Sequence, residues 1–79
     1  MKIFIKKLDG SIIEINGIET YNSIKRLKYL IYEKENILPK QQRLIFRGSP
    51  LLDDKLLSES NIIENSTIHL LYQLYSGIK

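Results

Sequence analysis

Apolar and polar residues alternate along most of this chain, and in one stretch the spacing changes. Met1, Ile3 and Ile5 alternate with Lys2, Phe4 and Lys6, the period-two signature of a half-buried strand. Asp9-Gly10 is a turn signal, and beyond it Ile13 and Ile15 form the inward face of a returning strand, with Ile18 as a further anchor. Asn16-Gly17 could make a second turn, but the preferred reading is a bulge near the end of that strand, where glycine permits a local change of conformation. From Ser23 to Glu35 the period becomes helical. Ile24, Leu27 and Ile31 fall on one stripe, Leu30 widens it, and Lys25, Lys28, Glu33 and Lys34 are left for water. Ser23 is the expected N-cap with Asn22 as its competitor, and Asn36 and Pro39 end the helix.

The second half returns to short extended pieces. After a connector over 36–40, residues 41–47 read as a strand with Leu44 inward and Ile45 on the opposite face. Gly48-Ser49-Pro50 breaks it, Leu51 is expected in a short edge strand, and Asp53-Asp54 in a turn. Residues 56–63 hold the core candidates Leu57 and Ile62 around a short helical turn capped by Ser58. Residues 67–75 make the last strand. Ile68, Leu70 and Tyr72 point inward there, and His69, Leu71 and Gln73 point outward. This order of elements predicts an α+β fold, a sheet covered on one face by one main helix.

Composition narrows the function classes. The chain has 79 residues, no cysteine, one histidine and a formal charge of +3. That describes one small domain without disulfides, a thiol nucleophile or a thiolate metal site. With the few acidic residues scattered, no metal or other cofactor is expected. Ser58 and His69 show no motif with an acidic orienting residue, so catalysis is not expected either. The basic groups Lys6-Lys7 and Lys25-Arg26-Lys28 lie in separate elements and read as solvated surface, which argues against a specific nucleic-acid partner. No apolar run reaches the roughly 18 residues of a membrane span, and the first residues lack a signal-peptide core. The expectation is a soluble protein of the cytoplasm or nucleus with no membrane partner.

Three stretches carry a resemblance: M-K-I-F-I-K at the start, Q-Q-R-L-I-F at 41–46 and S-T-I-H-L at 66–70, supported by Leu57-Ser58 and Asn61-Ile62. Through them the chain resembles the ubiquitin family almost from end to end, with one inserted residue near Asn16-Gly17. The resemblance implies the β-grasp fold, a mixed sheet packed against one main helix, over residues 1–75, with 76–79 as a flexible tail. It also implies a protein-binding surface on Leu8, Ile45, His69 and Leu71, with Arg43 and Gly48 at its margin. Leu71 replaces the usual valine of the family and keeps its apolar character.

The tail departs from the pattern. Where the family ends in R-G-G, this chain has Tyr75-Ser76-Gly77 followed by Ile78-Lys79, and Gln73 and Tyr75 replace expected cations. Lys6, Lys28 and Lys34 match family lysines, whereas Ser11, Leu30, Ser49 and Glu64 replace four others. On these departures the leading expectation is a noncatalytic interaction domain that docks ubiquitin-binding domains or a proteasomal receptor. The alternative is a divergent modifier, handled by activating and conjugating enzymes and attached through Gly77 after removal of Ile78-Lys79.

Overall fold

A computed structural model of the protein describes residues 1–72. Its strands are β1 (Ile3–Lys6), β2 (Ile12–Ile15), β3 (Gln42–Phe46), β4 (Ser49–Pro50) and β5 (Thr67–Tyr72). They form one five-stranded sheet in the order β2-β1-β5-β3-β4. The central pair β1·β5 is parallel, and the other pairs are antiparallel. One long helix, α1 (Ile24–Glu35), packs on one face, and short 3-10 turns occupy Pro39–Gln41 and Leu57–Ser60. This mixed sheet on a single main helix is the β-grasp arrangement.

Strand alternation decides which residues make the core. Ile3 and Ile5 of β1, Ile13 and Ile15 of β2, Leu44 and Phe46 of β3, and Ile68 and Leu70 of β5 are buried on the helix side. Opposite them the helix contributes Ile24, Leu27 and Ile31, while Ile18, Leu51, Leu57 and Ile62 close the ends of the core. Met1, Leu30 and Tyr72 pack against it partly buried. The cluster is almost wholly aliphatic. Burial of each such side chain contributes about 1.5–3 kcal/mol.

The helix starts at its expected cap, with the Ser23 hydroxyl accepting from the backbone N–H of Arg26 at 3.1 Å. Asn22 is used elsewhere, accepting from the Glu19 N–H. The helix ends at Asn36, a left-handed residue with φ 60° whose N–H donates to the carbonyl of Tyr32.

The structure corrects five local expectations. Lys28 is only 9% exposed, because residues 53–55 cross the first turns of α1. There the carbonyls of Lys55 and Asp53 accept from the N–H groups of Ile24 and Lys25, and the Lys28 ammonium pairs with Asp53 at 2.6 Å. Leu51 belongs to the core, and the edge strand is Ser49–Pro50 before it. Gln41 lies in a 3-10 turn, so β3 begins one residue later. Ser58 caps nothing; the Glu59 carboxylate accepts from the Leu56 N–H instead, because it reaches back over the turn. No bulge interrupts β2, whose four residues pair regularly with β1, and Gly17 forms a bend beyond the strand at φ 77°. Residues 73–75 of the expected last strand, and the tail, lie outside the described residues. No described helix is long and apolar enough to cross a membrane.

Candidate functional site: the open face of the sheet

The face of the sheet away from α1 has no element of the described chain laid across it, and register determines its composition. In β3·β5, Ile45 is paired with His69 and Arg43 with Leu71. In the parallel pair β1·β5, Lys6 sits beside His69. Directly paired residues share a face, with Cβ atoms about 4.5–5.5 Å apart in antiparallel pairs. The outer pairings Lys6 with Ile12 and Ile45 with Pro50 extend the row across the whole sheet. The order across the strands is therefore Ile12, Lys6, His69, Ile45 and Pro50, with Arg43 and Leu71 in a second row beside it.

Ile45 and Leu71 are half-buried, so their neighbours already hold them in place, while His69 and Arg43 are exposed. Such an arrangement is suited to docking. Apolar groups with little rotamer freedom left to lose can be covered by a partner at low entropic cost, and the cations around them favour a partner with an acidic rim. Lys2 adds to the cationic side, its ammonium 5.7 Å from the centre of the Phe4 ring.

Leu8 and Gly48 lie in loops at the ends of these strands. Leu8 follows β1 by two residues and is 67% exposed. Its loop is tightly held. The Lys7 N–H donates to the Ser11 carbonyl, and the Asp9 carboxylate accepts from both the N–H and the hydroxyl of Ser11, at 2.9 and 2.6 Å. These bonds, the hydroxyl foremost, hold the Asp9 carboxyl below its ordinary pKa. On the other side Lys7 donates to Glu35 at 2.8 Å, which raises the pKa of the ammonium and ties the loop to the end of α1.

Gly48 and Arg47 make the two-residue loop between β3 and β4, with φ of 80° and 53°. Left-handed values at both central positions define a type I′ turn, which explains the glycine. Arg47 accepts the less common conformation and lies over Phe46, 5.2 Å from the ring centre.

Register thus brings Arg43, Ile45, His69 and Leu71 together on one face and leaves Leu8 and Gly48 in flanking loops. It adds Lys6, Ile12 and Pro50 to the same surface. Local alternation places Lys6 opposite Ile5, but only the β1·β5 pairing reveals His69 as its neighbour. Gly77 lies outside the described residues. No group of three or more His, Cys, Asp or Glu side chains that could hold a metal occurs among the described residues.

Comparison with known proteins agrees with this architecture. The chain is 45% identical over 78 residues to "Ubiquitin-like protein NEDD8" of Dictyostelium discoideum, covering 99% of this chain and 100% of that protein. It is 38% identical over 77 residues to "Ubiquitin-like protein 1" of Schizosaccharomyces pombe, covering 98% and 97%. "Ubiquitin-like protein 4A" of Rattus norvegicus is 37% identical over 70 residues, which make up 89% of this chain but 44% of the relative. The ubiquitin family model matches residues 3–74. A β-grasp fold, full-length relatives of this kind and a family match over nearly the whole chain lead to one conclusion: the protein is a non-enzymatic member of the ubiquitin family.

Proposed function

We propose that the protein is a ubiquitin-like modifier, attached to other proteins through the carboxylate of Gly77 once Ile78-Lys79 is removed. The observation that carries this reading is the length of the relatives. The NEDD8 protein of D. discoideum and ubiquitin-like protein 1 of S. pombe are matched over 100% and 97% of their own length, so each is essentially one such domain. They favour the modifier over the docking domain that the tail departures alone put first. In this reading an activating enzyme joins the Gly77 carboxylate to AMP, with pyrophosphate leaving from ATP. An enzyme cysteine then displaces AMP to form a thioester, and a lysine amine of the target displaces the thiol. Every reacting group except the Gly77 carboxylate belongs to a partner. The open face around Ile45 and His69 then serves as the surface by which the attached domain is recognised.

A noncatalytic docking domain is the second reading. It is favoured by Ser76, which puts a side chain where the family has glycine, and by ubiquitin-like protein 4A, in which the matched region is under half of the protein. One experiment separates the two. Full-length protein and a form ending at Gly77 are incubated with ATP and purified activating and conjugating enzymes of the ubiquitin and NEDD8 types. Adducts are resolved with and without reductant. The modifier reading expects a reducible thioester from the Gly77 form and none from the full-length chain. Absence of thioester from both folded forms, with retained binding of a ubiquitin-binding helix that Ile45→Ala weakens, would establish the docking reading instead.

A further inference from the structure

A second recognition surface lies at the β4 edge of the sheet, independent of the modifier reading. There, a cleft of about 400 Å³ opens between the turn after α1, the start of β3 and the segment after β4. Its charge is unbalanced. Lys28 and Asp53 on its wall satisfy each other at 2.6 Å, whereas Lys40 and Arg43 pair with no carboxylate among the described residues. Between these cations the wall is apolar, formed by Pro39, Pro50 and Leu52, and Leu52 stands 57% exposed.

Gln42 also lines the cleft, and its side chain is held from one end only. Its Nε2 donates to the carbonyls of Lys28 and Ile37, both at 2.9 Å. Its Oε1 is buried with no hydrogen-bond partner. A buried acceptor left alone is costly, and this one sits in the wall of an open cleft.

We propose that this cleft binds a short acidic peptide segment of a partner protein, one that carries an aliphatic side chain between its carboxylates. Carboxylates would meet Lys40 and Arg43, and the aliphatic group would cover Leu52 and Pro50. The chemistry selects this occupant over the other anions. A nucleic acid would leave the apolar wall uncovered and would find no aromatic side chain in the lining on which to stack a base. Arg43 also borders the open face, so Lys40 and Leu52 are the residues that report on the cleft alone.

The test uses the isotopically labelled full-length chain, with amide shifts followed as an acetylated and amidated peptide E-E-L-E-E is added. Q-Q-L-Q-Q and inorganic phosphate serve as comparison probes. The proposal expects saturable shifts at Lys40, Gln42 and Leu52 with the acidic peptide, which weaken with salt. Lys40→Glu should lower the affinity about tenfold, and Leu52→Ser about threefold, with the spectrum of the free protein otherwise preserved. Shifts centred on Ile45 and His69, equal binding of the glutamine peptide, the same shifts with phosphate alone, or no saturable response would each overturn it.

Discussion

The two faces of this sheet are built from the same strands, yet they obey different rules. On the helix side, Ile3, Ile5, Ile68 and Leu70 are completely inaccessible, and each is aliphatic. One residue away along the same strands, Phe4, Lys6, His69 and Leu71 mix aromatic, cationic and aliphatic groups, and none is fully buried. The first face supplies the energy of folding, and its positions are interchangeable only among side chains of similar shape. The second face contributes little to folding, so its composition is free to serve recognition. Ile45 and Ile68 are the sharpest pair. They are the same residue type on adjacent strands, one half-buried on the open face and the other sealed in the core.

The largest expected effect follows from that pair. Ile68→Ala should destabilise the domain by about 2–5 kcal/mol, through lost burial and the cavity left behind. Against a total stability of about 5–15 kcal/mol, that is a large share. Ile45→Ala should cost about 1 kcal/mol or less in urea unfolding while weakening docking at the open face. Equal losses of stability from the two variants would break the distinction between the faces.

A smaller effect tests the charge on the core side. Asp53→Ala would leave the Lys28 ammonium nearly buried and unpaired. Because Asp53 itself is 57% exposed, water can replace part of what it supplies. The expected loss is about 1–2 kcal/mol, short of the roughly 3–5 kcal/mol for a fully buried pair. Lys28→Met keeps the apolar stem that packs beneath the crossing segment and should change stability by less than about 1 kcal/mol. If Lys28→Met proves the more damaging of the two, the ion pair is worth more than the packing of the stem.

How much of this was legible beforehand depended on how local each signal was. Period-two alternation correctly separated Ile3, Ile5, Ile13, Ile15, Ile68 and Leu70 from their exposed neighbours, since the side of a strand is a property of adjacent residues. The helix and its Ser23 cap were equally local. Lys28 was misplaced because helical periodicity knows only the stripe that faces the sheet, whereas residues 53–55 cover a second side of α1. Gln42 shares the inward parity of Leu44 and Phe46, yet a glutamine gives no apolar signal, and its partners are backbone carbonyls supplied by the helix and the connector. The row from Ile12 to Pro50 needed strand order. Lys6 and His69 meet only through a parallel pairing that joins the two ends of the described chain, and no local pattern encodes that. Family resemblance supplied Ile45, His69 and Leu71 as a surface before register did. Gly77, on which the modifier reading depends, lies outside the described residues.

The smallest expected effect concerns how the open face is finished at its margin, where Leu8 is exposed on a loop fixed by polar contacts instead of packing. The Ser11 hydroxyl is the main reason the Asp9 carboxyl titrates below its ordinary range, with the Ser11 N–H second. A carboxyl whose pKa is lower in the folded state adds stability that is fully present above its unfolded pKa and disappears as pH falls through the folded one. The Asp9–Ser11 contact therefore holds at neutral pH and is lost only in acid. Ser11→Ala removes the hydroxyl and leaves the backbone donor, so the Asp9 midpoint, followed by carboxyl carbon NMR, should rise part of the way toward an ordinary carboxylate. Unfolding at neutral pH should barely change, because the group is exposed. The Leu8 amide signal should broaden or shift as the loop loses a restraint, while Ile68 stays where it was. An unmoved Asp9 midpoint in Ser11→Ala would mean that the backbone donor alone orders the loop. Leu8 would then owe its position to the turn backbone, as Ile45 owes its position to the sheet.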